Sequence, residues 1–159
     1  AKNIKKNSKL IDLGTGTGII SFLLIAKTSL EHVTGVEVQE EVADMVNRSI
    51  KLNKLEDKFN IVNCNIKNLL SFVNKESFDV VVTNPPYKKM NTGAKNENEK
   101  KIISRHELLA DVFDFIKVSK QVLKDKGVLY MVHRPERLAD IIWGLRENKL
   151  EPKEIRFGY

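Results

Sequence analysis

Two textures alternate along this chain. Short aliphatic or β-branched runs read as buried strands: Lys9–Leu13, His32–Val38, Phe59–Asn63, Phe78–Val82, Gly127–His133 and Pro152–Phe157. Between them, apolar residues recur at helical spacing. Ile19–Ala26 is apolar nearly all round and predicts a helix packed deep against a sheet. Glu40–Asn53 sets Val42, Met45, Val46 and Ile50 on one face, and Ile102–Asp125 sets Leu109, Val112, Ile116 and Val122 on its core face. Arg134-Pro135-Glu136 opens a last helix carrying Leu138, Ile141, Ile142 and Leu145, with Trp143 capping that packing. Leu69, Leu70 and Phe72 belong to a short helix or turn. Strands alternating with helices predict the α/β class: a doubly wound, mainly parallel sheet that holds ligands at the carboxyl ends of its strands.

Unusual residues fall at those ends. After the first strand comes Gly14-Thr15-Gly16-Thr17-Gly18, where alternate glycines let a ligand approach the main chain and the helix beginning near Gly18 presents free N–H groups. Glu37 ends the second strand, roughly 20 residues beyond the glycines, where a carboxylate can accept both hydroxyls of a ribose. A solvated strand-end acid is the alternative reading. Asn65 follows the third strand, beside Cys64, which reads as a small buried apolar residue rather than a nucleophile.

The fourth strand stops at Asn84-Pro85-Pro86-Tyr87. Consecutive prolines stiffen the turn and remove two N–H donors, so the backbone there offers carbonyl acceptors, with the Asn84 side-chain oxygen beside them. Convergent acceptors suit a substrate that donates two hydrogens, such as an amino group on a flat ring, and Tyr87 supplies a face for stacking. An ordinary Asn-Pro turn is the competing reading.

Composition narrows the choice. At 159 residues the chain suits one domain, spanning 1–159, and no apolar run approaches the roughly 20 residues that cross a bilayer. A single cysteine forms no internal disulfide, and no signal-peptide pattern precedes Ile4, so the expected compartment is cytoplasmic. The net charge of +6 favours a polyanionic partner, although a proteome-wide Lys/Asn bias would give the same number. Residues 88–101, with five lysines against two glutamates and no apolar periodicity, read as a mobile loop on the substrate side of Tyr87. It is either a lid with phosphate contacts or simply solvated. No arrangement of His32, His106 and His133 suggests a metal site.

Taken together, Asp12-Leu13-Gly14-Thr15-Gly16-Thr17-Gly18, Glu37, Asn65-Ile66 and Asn84-Pro85-Pro86-Tyr87 resemble the motifs of Rossmann-like, S-adenosylmethionine-dependent class I methyltransferases that modify exocyclic or amide nitrogens. Glu76–Val82, Ser104–Glu107 and Tyr130–Ile141 are similar, more narrowly, to the bacterial tRNA1(Val) adenine-N(6)-methyltransferase family. That resemblance implies S-adenosylmethionine as cofactor and tRNA as partner, the target being the adenine 3′ of the anticodon, with no metal and no membrane, in a monomer. It implies Asp12, Gly14 and Gly16 against the methionine part of the cofactor, with Thr15 and Gly18 in the same loop, and Glu37 on the ribose. Val38 and Ile66 would sandwich the cofactor adenine. Asn65 stands where the family has Asp, so its contact to the adenine amine would rest on a neutral amide oxygen. Asn84, which also stands among the cofactor-binding residues, and the Pro85 carbonyl would hold the target amine, with Pro86 and Tyr87 completing the catalytic turn. Lys88, Lys89, Arg105, His106 and Arg134 are the substrate-binding candidates. The family also carries a Phe-x-x-Gly segment before the first strand and a strand after the sixth, so the resemblance implies a fragment or a shortened core. The rival readings are methylation of a protein glutamine or an rRNA guanine, and a non-catalytic nucleic-acid-binding module.

Overall fold

The computed structural model describes residues 4–86 and 110–158. Five parallel strands, β1 (Lys9–Leu13), β2 (His32–Glu37), β3 (Phe59–Asn63), β4 (Phe78–Thr83) and β5 (Leu123–Met131), form one sheet in the order β3-β2-β1-β4-β5. Among the described residues four helices accompany them: α1 (Ile19–Thr28), α2 (Glu40–Leu52), α3 (Val112–Val122) and α4 (Leu138–Glu147). A 3₁₀ turn, Ile66–Ser71, leads from β3 towards β4.

Alternation along the strands builds a core on each face. Leu10, Val80 and Val82 join Ile25, Val46, Ile50 and Phe59 on one face, while Ile11, Leu13 and Val81 join Leu69, Phe115, Val118 and Val122 on the other. Both faces are covered, which is why the central strand β4 carries the continuous aliphatic run Val80-Val81-Val82. The strand order reverses between β1 and β4, and the crevice outside their carboxyl ends is where such sheets take ligands.

Several expectations are corrected. The helix expected over 102–125 is α3, which begins only at Val112, because Asp111 and Asp114 form a capping box: the Asp111 carboxylate accepts from the N–H groups of Phe113 and Asp114, and Asp114 accepts from the N–H of Asp111. It ends at Val122, since Leu123 is already extended and pairs with Phe78. Residues 102–109 lie outside the described residues. The α1 helix is less deeply packed than its composition suggests, with Ile19 59% and Leu23 48% exposed. No strand forms over 152–157, where the chain has no ladder partner among the described residues. Trp143 is largely exposed and packs edge-to-face on Phe113, with ring centroids 5.6 Å apart.

Left-handed backbone occurs at both sheet edges, filled by different residue types. Gly14, Gly16 and Gly18 adopt it at the carboxyl edge, whereas Ser29, Lys54 and Glu76 adopt it in the turns feeding the amino ends of β2, β3 and β4; Lys126, within β5, and Lys149, just after α4, adopt it as well. No helix among the described residues is long and apolar enough to cross a membrane.

Candidate functional site

The first side of the site is the loop after β1. The Thr15 N–H donates to the Val36 carbonyl (2.9 Å), tying the loop to β2, and the Thr15 side chain turns inward. Gly16, at φ 54°, faces open space: a Cβ built there meets no heavy atom within 4 Å. Beneath the loop, Asp12 is 1% exposed, and its Oδ2 accepts from the hydroxyls of Thr15 and Ser21, each at 2.8 Å. Burial pushes the Asp12 carboxyl above its ordinary range, the two hydroxyls oppose that shift, and the nearby Glu37 carboxylate adds to it.

Glu37 supplies the second side. It is 5% exposed, and its two oxygens are held by different segments: Oε2 accepts from the Gly16 N–H (3.0 Å) and Oε1 from the Gln39 N–H (2.8 Å). A carboxylate has about four lone-pair sites, so each oxygen keeps capacity for a further donor. Asn63 Nδ2 (2.8 Å) and the Cys64 N–H (3.1 Å) donate to the Glu37 carbonyl, holding the ends of β2 and β3 together. Val38 is exposed beside them. Asn65 caps the 3₁₀ turn, its Oδ1 accepting from the Lys67 N–H (3.0 Å), and Ile66 is buried in the core. Cys64 packs against that same core, and burial raises its thiol pKa.

The end of β4 supplies the third side. Leu13 pairs in register with both Val36 and Thr83, so Gly14, Glu37 and Asn84 each follow a residue of one lateral row. The Thr83 hydroxyl donates to the Leu13 carbonyl at 2.8 Å, and Thr83 itself is 2% exposed. Beyond it Asn84 is exposed, Pro85 buried and Pro86 exposed. Arg134, just past β5, is exposed, with its N–H donating to His133 Nδ1 (2.9 Å). Tyr87, Lys88, Lys89, Arg105 and His106, with the expected loop over 88–101, lie outside the described residues.

Thr83 and Ser21 are site-forming residues that the sequence reading missed. The signal available was a hydroxyl inside an otherwise aliphatic run, since a buried hydroxyl needs an acceptor. Among the described residues no three His, Cys, Asp or Glu side chains group so as to hold a metal. A concavity among Lys9, His32, Lys58, Phe59 and Phe78 lies at the opposite, amino edge of the sheet, away from all three sides of this site.

The arrangement fits a nucleoside cofactor. The open face of Gly16 admits a ligand against the main chain, the first turn of α1 offers N–H groups, and Glu37 keeps acceptor capacity for a diol.

Residues 1–143 match the family described as Methyltransferase small domain. The chain is 27% identical over 162 residues to a release factor glutamine methyltransferase of Shewanella oneidensis, covering 98% of this chain and 52% of that protein. It is 26% identical over 133 residues to a tRNA1(Val) (adenine(37)-N6)-methyltransferase of Porphyromonas gingivalis, covering 82% of this chain and 51% of that protein. The chain thus spans about half the length of these curated relatives. Among solved structures, the ribosomal protein L11 methylase of Lactobacillus delbrueckii subsp. bulgaricus superposes with a TM-score of 0.70 at 19% identity, covering 99% of this chain and 68% of that one. A likeness at that identity is one of fold.

Proposed function

The chain belongs to the methyltransferase small domain family, and from that membership we propose that it transfers a methyl group from S-adenosylmethionine to the exocyclic amine of an adenine in tRNA, the base 3′ of the anticodon. Residues 1–159 act as one catalytic domain in the cytoplasm. The observation that carries this reading is the position of Asn84-Pro85-Pro86 at the switch point of the sheet, one residue beyond the Leu13–Thr83 pair and so beside Gly14.

In this reading Glu37 accepts the ribose hydroxyls, and Asp12 with the Gly14–Gly18 loop holds the methionine part. Val38 and Asn65 border the adenine, with Ile66 beneath them. The cofactor, when bound, supplies a methyl group on a sulfonium, an electrophile that needs no metal. The amine of the target base is a poor nucleophile because its lone pair is delocalised into the ring. Asn84 Oδ1 and the Pro85 carbonyl accept its two hydrogens and favour a pyramidal nitrogen, whose lone pair then points across the β1–β4 edge. Neither proline offers an N–H to compete for that lone pair. The methylated nitrogen sheds its extra proton to solvent at the exposed Asn84 edge. Tyr87 stacks on the base, while Lys88, Lys89, Arg105, His106 and Arg134 hold phosphates around it, which makes binding salt-dependent. A loop with a partly exposed base is the cheapest target, because unstacking the base costs only a few kcal/mol there.

A second reading, transfer to a glutamine of a release factor, is favoured by the alignment over 98% of the chain with the Shewanella oneidensis protein. A carboxamide presents the same pair of hydrogens. Tritiated methyl transfer to tRNA transcripts differing only at the base 3′ of the anticodon, run beside intact release factor, tests both. Label that requires the adenine supports the first reading; equal label after its replacement, or label on release factor alone, refutes it.

A further inference from the structure

We propose that Thr83 is a positioning residue, whose buried hydroxyl sets the spacing between the cofactor loop and the amine-binding turn by anchoring the end of β4 to the end of β1. This rests on the methyl-transfer reading above. The ladder between these strands ends at the Leu13–Thr83 pair, after which the two chains separate into Gly14 and Asn84. At that point the Thr83 side chain adds a link of its own, donating from Oγ1 to the Leu13 carbonyl at 2.8 Å. The Thr83 carbonyl meanwhile accepts from the Val132 N–H at 3.0 Å, so one residue ties together the ends of β1, β4 and β5.

The choice of residue supports this role. Val80, Val81 and Val82 precede it, and a fourth valine would suit a strand position that is 2% exposed at least as well. A hydroxyl at such a site costs free energy unless it is bonded, so packing alone does not account for it. What the hydroxyl adds is a lateral tether directly before the two acceptors that must meet the reacting nitrogen.

Thr83→Val keeps the branched shape and removes only the tether. With tritiated S-adenosylmethionine and an adenine-containing anticodon stem-loop transcript, or intact release factor if that is the acceptor, kcat should fall about 10- to 100-fold, as a misplacement of roughly 1 Å costs about 100-fold. KM for the acceptor and calorimetric affinity for S-adenosylhomocysteine should hold, and Thr83→Ser should restore kcat. Thr28→Val is the control: it removes a hydroxyl-to-carbonyl bond (Thr28 Oγ1 to Leu24 O, 2.6 Å) at the other end of α1 and should leave kcat unchanged. An unaltered kcat in Thr83→Val, or a fall in cofactor affinity matching the fall in kcat, overturns the inference while leaving the methyltransferase reading intact. A wild-type chain that methylates neither acceptor overturns both.

Discussion

Replacing Glu37 by Gln tests the cofactor site most directly, and its cost can be worked from four hydrogen bonds. Two exist already: Gly16 N–H to Oε2 and Gln39 N–H to Oε1. The other two are the proposed ribose hydroxyls. An amide has one acceptor oxygen, so whichever way it turns, one backbone N–H faces an NH₂ donor. The bond to Gln39 is local, so the one that breaks is to Gly16, and the glycine loop loses this tie to β2 while keeping the Thr15 N–H to Val36 carbonyl bond. A hydrogen bond to a charged group contributes about 1.5–3 kcal/mol, and losing one to the ribose should weaken binding of S-adenosylhomocysteine by about 10- to 150-fold. The unpaired Gly16 N–H should also lower the melting temperature, towards the small end of about 1–3 kcal/mol because the loop borders solvent. Titration calorimetry with S-adenosylhomocysteine and its 2′-deoxy analogue separates the two effects: the wild type should prefer the ribose form, and Glu37→Gln should lose most of that preference. Unchanged discrimination, even alongside weaker binding of both ligands, would mean that Glu37 only braces the loop.

Two further outcomes are expected. Asn84→Ala should abolish methyl transfer while leaving S-adenosylhomocysteine affinity nearly unchanged, because its contact to the amine matters chiefly in the transition state; parallel loss of both in single-turnover and calorimetric assays would make it a cofactor residue. Asp12→Asn should raise the melting temperature at neutral pH. Burial lifts the Asp12 carboxyl in the folded state despite the Thr15 and Ser21 hydroxyls, with Glu37 lifting it further, so the fold binds that proton more tightly than the unfolded chain. Wild-type stability from this group is therefore lost as pH rises through the folded pKa, and the advantage of Asn should shrink as pH falls towards the ordinary carboxylate range. A gain independent of pH in melts spanning that window would refute the assignment.

The glycine loop, Glu37 and the Asn-Pro-Pro turn were legible because each breaks a buried strand with residues that strands reject. Their convergence was legible too, since alternating strands and helices place successive carboxyl ends on one edge. Leu123–Asp125 was not: the segment reads as the end of the preceding helix, and only pairing of Leu123 with Phe78 draws it into β5. The stretch 152–157 failed for the converse reason, because strand propensity without a neighbour among the described residues forms no ladder. In α1 an all-apolar run could not reveal that Ile19 and Leu23 would stay exposed. Thr83 and Ser21 went unseen because one hydroxyl leaves no trace in a hydrophobic period.

The different residue types that take left-handed backbone at the two sheet edges bear on how this scaffold can change. At the carboxyl edge glycine fills those positions, and any side chain there is strained or, at Gly16, would enter the space a ligand needs. At the amino edge Ser29, Lys54 and Glu76 bear the strain instead, about 1–2 kcal/mol for an ordinary residue in that conformation. Glycine or asparagine would relieve it there, far from the reacting groups. The molecule therefore carries an untapped reserve of robustness, and substitutions that retune specificity at one edge can be tolerated by compensation at the other.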